Sequence, residues 1–71
     1  MNYYQQKAAR YQDLAHEAAA FSRYFREQMK HSQWRSSEYE VTATVYQERS
    51  AALYRIARQH IDDAFQDAAF R

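Results

Sequence analysis

Small residues recur at every seventh position in both halves of the chain and mark one line along each half. Larger apolar side chains flank each line, which gives each half the wide apolar stripe of an amphipathic helix. In the first half the line consists of Ala8, Ala15, Ser22 and Met29. In the second half it consists of Ala43, Ser50, Ala57 and Ala64. The pattern predicts two long helices that pack closely along these lines, as in a coiled coil.

One polar segment, residues 31–37, interrupts the helical pattern and is rich in serine. Behind it, Ser37 and Glu40 match a capping box, which would start a second helix. We therefore predict a first helix at about residues 3–31, a turn at about 32–37 and a second helix at about 38–69. The expected fold is all-α: a single domain, residues 1–71, that forms an antiparallel two-helix hairpin with a close seam of small residues.

Folding the chain about residue 36 brings the two lines into register, because positions whose numbers sum to 72 then lie opposite each other. Ala15 would face Ala57, and Ser22 would face Ser50. The same register would pair charges of opposite sign: Lys7 and Arg10 with Asp62, Asp63 and Asp67; Asp13 and Glu17 with Arg58 and Arg55; and Arg26 with Glu48. Exposed pairs contribute at most about 1 kcal/mol each, so they would select antiparallel pairing without holding the fold together. The alternative is one uninterrupted helix, which a chain without proline or glycine permits.

Composition suggests that a single hairpin buries too little apolar surface to be stable alone. The chain has 71 residues and no cysteine, so it buries little apolar surface and has no disulfide or thiolate zinc site. At 17%, its aromatic residues exceed what one seam can cover. The larger side chains that fall off the small-residue lines are Tyr24, Tyr39, Val41, Val45, Tyr54 and Phe65. We expect them to be buried in a homodimer that forms a four-helix bundle.

Charge and hydropathy limit the classes of partner that the chain is expected to bind. A net charge of +1 gives no general attraction to nucleic acid or to an anionic membrane. No uncharged stretch is long enough to span a membrane, and the N-terminus lacks the pattern of a signal peptide, so we expect a cytoplasmic protein without a membrane partner.

Two histidines have neighbouring carboxylates at a spacing used by metal sites in helical bundles, in the pairs Asp13–His16 and His60–Asp63. Such sites normally add glutamates that point inward, which are missing here, so we predict no metal and no cofactor. Nucleophilic catalysis needs a nucleophile held against an oriented base in a pocket. The serines here fill the seam or cap helices, and two helices enclose little volume, so we predict no catalytic residues and no enzymatic activity.

Binding residues are expected near the turn. Tyr24, Trp34, Arg35 and Tyr39 are of the types that dominate binding energy at interfaces, although Trp34 could instead plug the open end of the bundle. They predict a non-enzymatic protein–protein interaction module, a small regulator, adaptor or inhibitor of a larger, unidentified protein. The alternative is an RNA- or DNA-binding regulator that uses four basic residues: Arg23, Arg26, Lys30 and Arg35. Nearby acids, including Glu27 and Glu38, offset much of that charge.

Overall fold

The computed structural model describes residues 3–69, which form two helices and no strand. Helix α1 spans Tyr3–Met29 and helix α2 spans Ser36–Ala69. Tyr11 contacts His60 near the open end, and Phe25 contacts Tyr39 near the turn, so the helices run antiparallel. The predicted all-helical hairpin is confirmed, and the alternative of one uninterrupted helix is wrong.

Short-range backbone hydrogen bonds close the end of α1. The Lys30 N–H donates to the Glu27 carbonyl at 3.1 Å, and the His31 N–H donates to the Gln28 carbonyl at 3.0 Å. Bonds of this three-residue span tighten the last turn and satisfy carbonyls that a helix end leaves open. The helix therefore ends at Met29, slightly before the predicted boundary near residue 31.

Helix α2 begins earlier than predicted, at Ser36 rather than near residue 38. The Tyr39 N–H already donates to the Arg35 carbonyl at 2.9 Å, which is the first helical bond. Ser37 thus lies inside the first turn, and the predicted capping box is wrong. In the loop, the Ser32 hydroxyl oxygen accepts a hydrogen bond from the Arg35 N–H at 3.3 Å. Glu38 occupies the first turn of α2, where a carboxylate interacts favourably with the helix dipole.

The interface between the helices is lined by alanine and serine. Its buried residues are Ala8, Ala15, Ala18 and Ser22 from α1, and Ala43, Ser50, Ala57 and Ala64 from α2. Ala15 and Ala43 are 0% exposed, whereas no large side chain of the described residues is fully buried. Both predicted lines therefore meet in the seam, except that Met29, at the end of α1, is only half-buried.

Two serine hydroxyls cross the seam to the backbone of the other helix. The Ser22 Oγ donates to the Ala43 carbonyl at 2.9 Å, and the Ser50 Oγ donates to the Ala15 carbonyl at 2.8 Å. A serine side chain has a single carbon, so these bonds require the two backbones to lie close together. Each acceptor can keep its own helical bond because a carbonyl oxygen has two lone pairs.

These bonds offset the predicted register. Each serine binds the small residue that lies seven positions before its predicted counterpart: Ser22 bonds Ala43, although Ser50 was predicted to face it. The reason is steric, since side chains of one packed helix fit between those of the other rather than on top of them.

Asp67 aside, the predicted ion pairs between the helices do not form among the described residues. Arg26 donates to the side-chain oxygen of Gln47, and not to Glu48. Asp67 aside, the ion pairs within residues 3–69 join residues three or four positions apart: Lys30–Glu27, His31–Glu27 and His60–Asp63. Long charged side chains on an exposed surface gain little from a fixed pairing, so local partners and water compete with partners across the seam.

The hairpin is long and thin. Its Cα extents are 58 × 16 × 11 Å, and its radius of gyration is 16.4 Å. A compact domain of this length would have a radius of about 11 Å. Neither described helix is long and apolar enough to cross a membrane.

Candidate interaction surfaces

One side of the hairpin carries a chain of stacked rings. Phe25 stacks on Tyr39 and on Tyr46, with ring centroids 6.0 and 5.8 Å apart, and Phe21 contacts Tyr46 at 5.2 Å. Towards the open end, Tyr11 stacks on His60 at 5.5 Å. We call this side the aromatic face; it comprises Tyr11, Leu14, Phe21 and Phe25 of α1, and Tyr39, Tyr46, Leu53 and His60 of α2.

A groove of about 440 Å³ opens in the middle of the aromatic face. It lies at Ala18, which occupies the same helical row as Tyr11 and Phe25 but has no ring to fill the space. Leu14 and Phe21 form one wall, at 37% and 43% exposure, and Tyr46 and Leu53 form the other. Glu17 stands at the α1 rim and Arg49 at the α2 rim, with the Arg49 guanidinium 5.2 Å from the centre of the Tyr46 ring. The groove is therefore apolar at its floor and charged at its edges.

The opposite side is more polar. Arg26 bonds Gln47 across the seam, and Arg23 lies beside them around a depression of about 250 Å³ that reaches the two seam serines. Nearer the open end, Tyr54 packs on His16 with ring centroids 5.6 Å apart. This side thus has a few isolated apolar groups and no continuous row of rings among the described residues.

Trp34 projects from the turn and is 96% exposed. Within one hairpin the Trp34 ring is therefore open to solvent, and its interpretation as a plug for the open end of the bundle stays a prediction. Its neighbour Arg35 is also exposed and closes the loop through the bond to Ser32. No residue of the described chain has a positive φ, so this turn keeps its shape without glycine.

The other two predicted partner-binding residues lie on the helices below the turn. Tyr24 is 56% exposed and meets Phe25 edge-on at 5.2 Å. Tyr39 is half-buried against Phe25. Phe25 therefore links Tyr24 with Tyr39, whereas Trp34 makes no ring contact with another described residue. Of the four residues, Trp34 and Arg35 share the turn, while Tyr39 contributes mainly to packing.

The four basic residues of the nucleic-acid hypothesis are not equally available. Arg26 is engaged by Gln47, and Lys30 lies 3.3 Å from the Glu27 carboxylate. Arg23 and Arg35 are exposed. The hydrogen bond and charge of Lys30, with a smaller contribution from His31, hold the pKa of Glu27 below its usual value. Glu27 therefore stays ionised and neutralises part of the basic segment.

The two histidines with neighbouring carboxylates are not brought together. His16 packs on Tyr54, whereas His60 packs on Tyr11 on the other side of the seam. The His60 Nδ1 is buried, lacks a hydrogen-bond partner among the described residues and lies 4.0 Å from the Asp63 carboxylate. Within residues 3–69, no three histidine, aspartate or glutamate side chains converge in a way that could hold a metal ion.

Comparison of the chain with protein-family models, with curated proteins and with solved structures gave no match.

Proposed function

We propose that this protein is a non-enzymatic interaction module, a small regulator, adaptor or inhibitor, that binds a larger protein through its turn. The observation that carries the proposal is the exposure of Trp34. Tryptophan and arginine are the side chains that most often dominate binding energy at protein interfaces, and here they are adjacent in one turn.

The turn also presents Trp34 at low entropic cost. The loop is only six residues long, from 30 to 35, and backbone hydrogen bonds fix it at both ends. A side chain held on a short, ordered loop loses less freedom on binding than one on a flexible segment. Tyr24, exposed on the α1 surface, would extend the contact along the hairpin.

We further propose that the protein is a homodimer in the form of a four-helix bundle. The support is the nature of the core, because alanine and serine bury little apolar area, while Leu14, Phe21 and Ile56 remain about two-fifths exposed. The chain exposes 5733 Å², whereas a compact monomer of 8.6 kDa exposes about 4,700 Å². The excess of about 1,000 Å² is similar to the ~800 Å² that each partner buries in a typical interface.

Nucleic-acid binding has less support. Four phosphate contacts would need free positive charges on one surface, but Gln47 engages Arg26 and Glu27 neutralises Lys30. A gel-shift assay at low salt with single-stranded and duplex RNA and DNA probes addresses this alternative. Retardation that weakens steeply with salt, and that is lost in Arg23→Glu, would replace the present proposal.

The test is affinity capture from the native host with three baits: the wild type, Trp34→Ala and Gln33→Ala. Gln33 is the matched control because it is exposed in the same loop and has a polar side chain. We expect one specific protein to be retained by the wild type and by Gln33→Ala, and to be lost with Trp34→Ala.

The captured protein is then purified and titrated against the bait while Trp34 fluorescence is recorded, which is possible because the chain contains 1 tryptophan. If the partner lacks tryptophan at the contact, burial of the indole shifts its emission to shorter wavelength and protects it from acrylamide. All three baits should melt at the same temperature. Equal capture by wild type and Trp34→Ala, or a large loss of melting temperature in Trp34→Ala, would contradict a binding role for the turn.

A further inference from the structure

We propose that a second copy of the chain covers the aromatic face, with the two turns at the same end of the dimer. This inference rests on the homodimer proposed above and specifies its interface and orientation. It follows from two rows of side chains that flank the aromatic face, one on each helix, and from the heights at which those rows stand.

Each row repeats every seven residues and points outward from the aromatic face. On α1 the row is Lys7, Leu14 and Phe21; on α2 it is Arg49, Ile56 and Asp63. Each row therefore has an aliphatic centre, and the two rows carry charges of opposite sign at the open end. Leu14, Phe21 and Ile56 are 37%, 43% and 40% exposed, so their apolar surface is available to a partner. Tyr54, which the sequence pattern predicted to be buried in the dimer, packs on His16 on the other side of the seam and lies outside this interface.

The contacts across the hairpin give the relative heights. Tyr11 meets His60 and Phe25 meets Tyr46, but Phe21 also meets Tyr46 and Ser22 bonds Ala43, so residues whose numbers sum to about 68 stand at the same level. Lys7, Leu14 and Phe21 then stand within about 3 Å of the heights of Asp63, Ile56 and Arg49, respectively. Within one copy the two charges do not form an ion pair: the Lys7 ammonium lies over the Tyr3 ring at 5.2 Å, and Asp63 lies beside His60.

Packing two aromatic faces with both turns at the same end places α1 of each copy over α2 of the other at unchanged height. Lys7 then meets Asp63 of the second copy, Leu14 meets Ile56, and Phe21 meets the Arg49 guanidinium. These are an ion pair, an aliphatic pair and a cation–π pair, and the symmetry forms each of them twice. All neighbouring helices in this bundle are antiparallel.

The opposite orientation matches the rows less well. When the turns lie at opposite ends and the copies overlap fully, α1 lies over α1 and Leu14 meets Phe21. Lys7 and Asp63 then face residues near the turns of the second copy, so the Lys7–Asp63 ion pair is not formed. Sliding the copies by about 10 Å would pair Asp63 with Arg49, but the turn end of each copy would then overhang, and less apolar surface would be covered.

The orientation has a consequence for function. Two Trp34 side chains would stand at one end of the dimer, next to each other rather than about 58 Å apart. A partner with two matching sites could then bind both turns at once, which raises the effective affinity without any new contact.

The face is tested with Phe21→Glu and its control Tyr54→Glu, since these rings are almost equally exposed, at 43% and 42%, on opposite sides of the seam. We expect Phe21→Glu to raise the dimer dissociation constant by at least about tenfold in sedimentation equilibrium, and Tyr54→Glu to change it by less than about threefold. Circular dichroism checks that both remain helical. Equal weakening by the two substitutions would overturn the assignment of the face.

The orientation is tested on a surface variant that leaves the packing intact. Because the chain has no cysteine, Gln33→Cys gives one spin label per turn. Pulsed electron paramagnetic resonance of the dimer should give a separation below about 30 Å, the width of a four-helix bundle. A mixed dimer labelled at Gln33→Cys in one copy and Gln66→Cys in the other should give a separation approaching the 58 Å hairpin length.

A charge exchange gives an independent check. Asp63→Lys should weaken the dimer several-fold, and adding Lys7→Glu should restore it; restoration by Arg49→Glu instead would indicate the slid, opposite orientation. A long distance between the two Gln33 labels would overturn the inference while leaving the homodimer in place. A wild-type chain that sediments as a monomer at high concentration would overturn both.

Discussion

Ser22 and Ser50 link the two helices through hydrogen bonds that cross the seam. Their hydroxyls are buried, and each has its hydrogen-bond partner on the opposite helix. In the middle of a helix, serine usually bonds a carbonyl of its own helix or faces water. A slip of the seam by one residue would break both bonds; each hydroxyl would then have to bond a carbonyl of its own helix or stay unpaired, and an unpaired buried hydroxyl costs roughly 1–3 kcal/mol. The serines thus disfavour alternative registers that alanine alone would tolerate.

Replacing either serine with alanine should therefore destabilise the hairpin modestly. We expect Ser22→Ala and Ser50→Ala each to lower the free energy of unfolding by about 0.5–1.5 kcal/mol, because the acceptor carbonyl keeps its helical bond. Urea denaturation at fixed protein concentration measures the change, and Ser37→Ala, at an exposed position, is the control. A variant as stable as the wild type would show that these bonds do not contribute.

Glu27 provides a prediction about pH. Since the pKa of its carboxyl is held below the usual value by Lys30 and then by His31, its contribution to stability is present above the unfolded-state pKa. That contribution disappears as the pH falls through the folded-state pKa. We expect Lys30→Ala to return the Glu27 pKa toward its usual value, and His31→Ala to raise it less. Carbon-13 NMR titration of the carboxyl resonance measures both, and an unchanged pKa in Lys30→Ala would contradict this account.

At the scale of the helices, close approach depends on the absence of side-chain volume in the seam. Ala15 has no exposed surface, so a larger side chain there has no room without moving the backbone. We expect Ala15→Leu to destabilise the hairpin by about 1–3 kcal/mol or more, through overpacking and loss of the Ser50 bond to the Ala15 carbonyl.

The control for Ala15→Leu is Ala51→Leu, at an exposed position of α2, where leucine is also a good helix former. Thermal melting with circular dichroism compares the two at one protein concentration. A similar melting temperature for both variants would mean that the seam is looser than its serine hydrogen bonds indicate.

The helices and their seam could be predicted because they depend on repeated spacing. Small residues at every seventh position identify the contact line whatever the exact register. The offset of that register could not be predicted, since it depends on how the Ser22 and Ser50 hydroxyls reach carbonyls on the other helix. The start of α2 was missed for a related reason. Serine is a good cap, but here the Arg35 carbonyl accepts the first helical bond and the Ser32 hydroxyl accepts from the Arg35 N–H, which the sequence pattern does not reveal.

The interaction surfaces were only partly predictable. Trp34 was expected near the turn, but its exposure depends on the loop geometry, and only the structure gives that. The groove was missed, although a signal for it exists in the sequence: Ala18 interrupts a row in which Tyr11 and Phe25 precede and follow it by seven residues. Its charged rim residues, Glu17 and Arg49, become neighbours only through the pairing of the helices.

For the whole molecule, shape and core composition lead to one expectation, that folding and association are coupled. A hairpin with a 16.4 Å radius of gyration and a seam of alanine and serine has little apolar burial to offset the entropy of ordering its chain. If a second copy supplies the missing burial, unfolding releases two chains, and mass action makes the melting temperature depend on concentration.

We therefore expect the melting temperature to rise by about 3–6 °C for each tenfold increase in protein concentration, since a tenfold change corresponds to about 1.4 kcal/mol. Circular dichroism melts from micromolar to millimolar concentration measure this. At each protein concentration, Phe21→Glu should melt at a lower temperature than the wild type, and it should need a higher concentration to reach the same melting temperature. Tyr54→Glu should melt like the wild type. A melting temperature that is independent of concentration would show that the alanine and serine seam suffices alone, and that the aromatic face of the native chain remains open to a different partner.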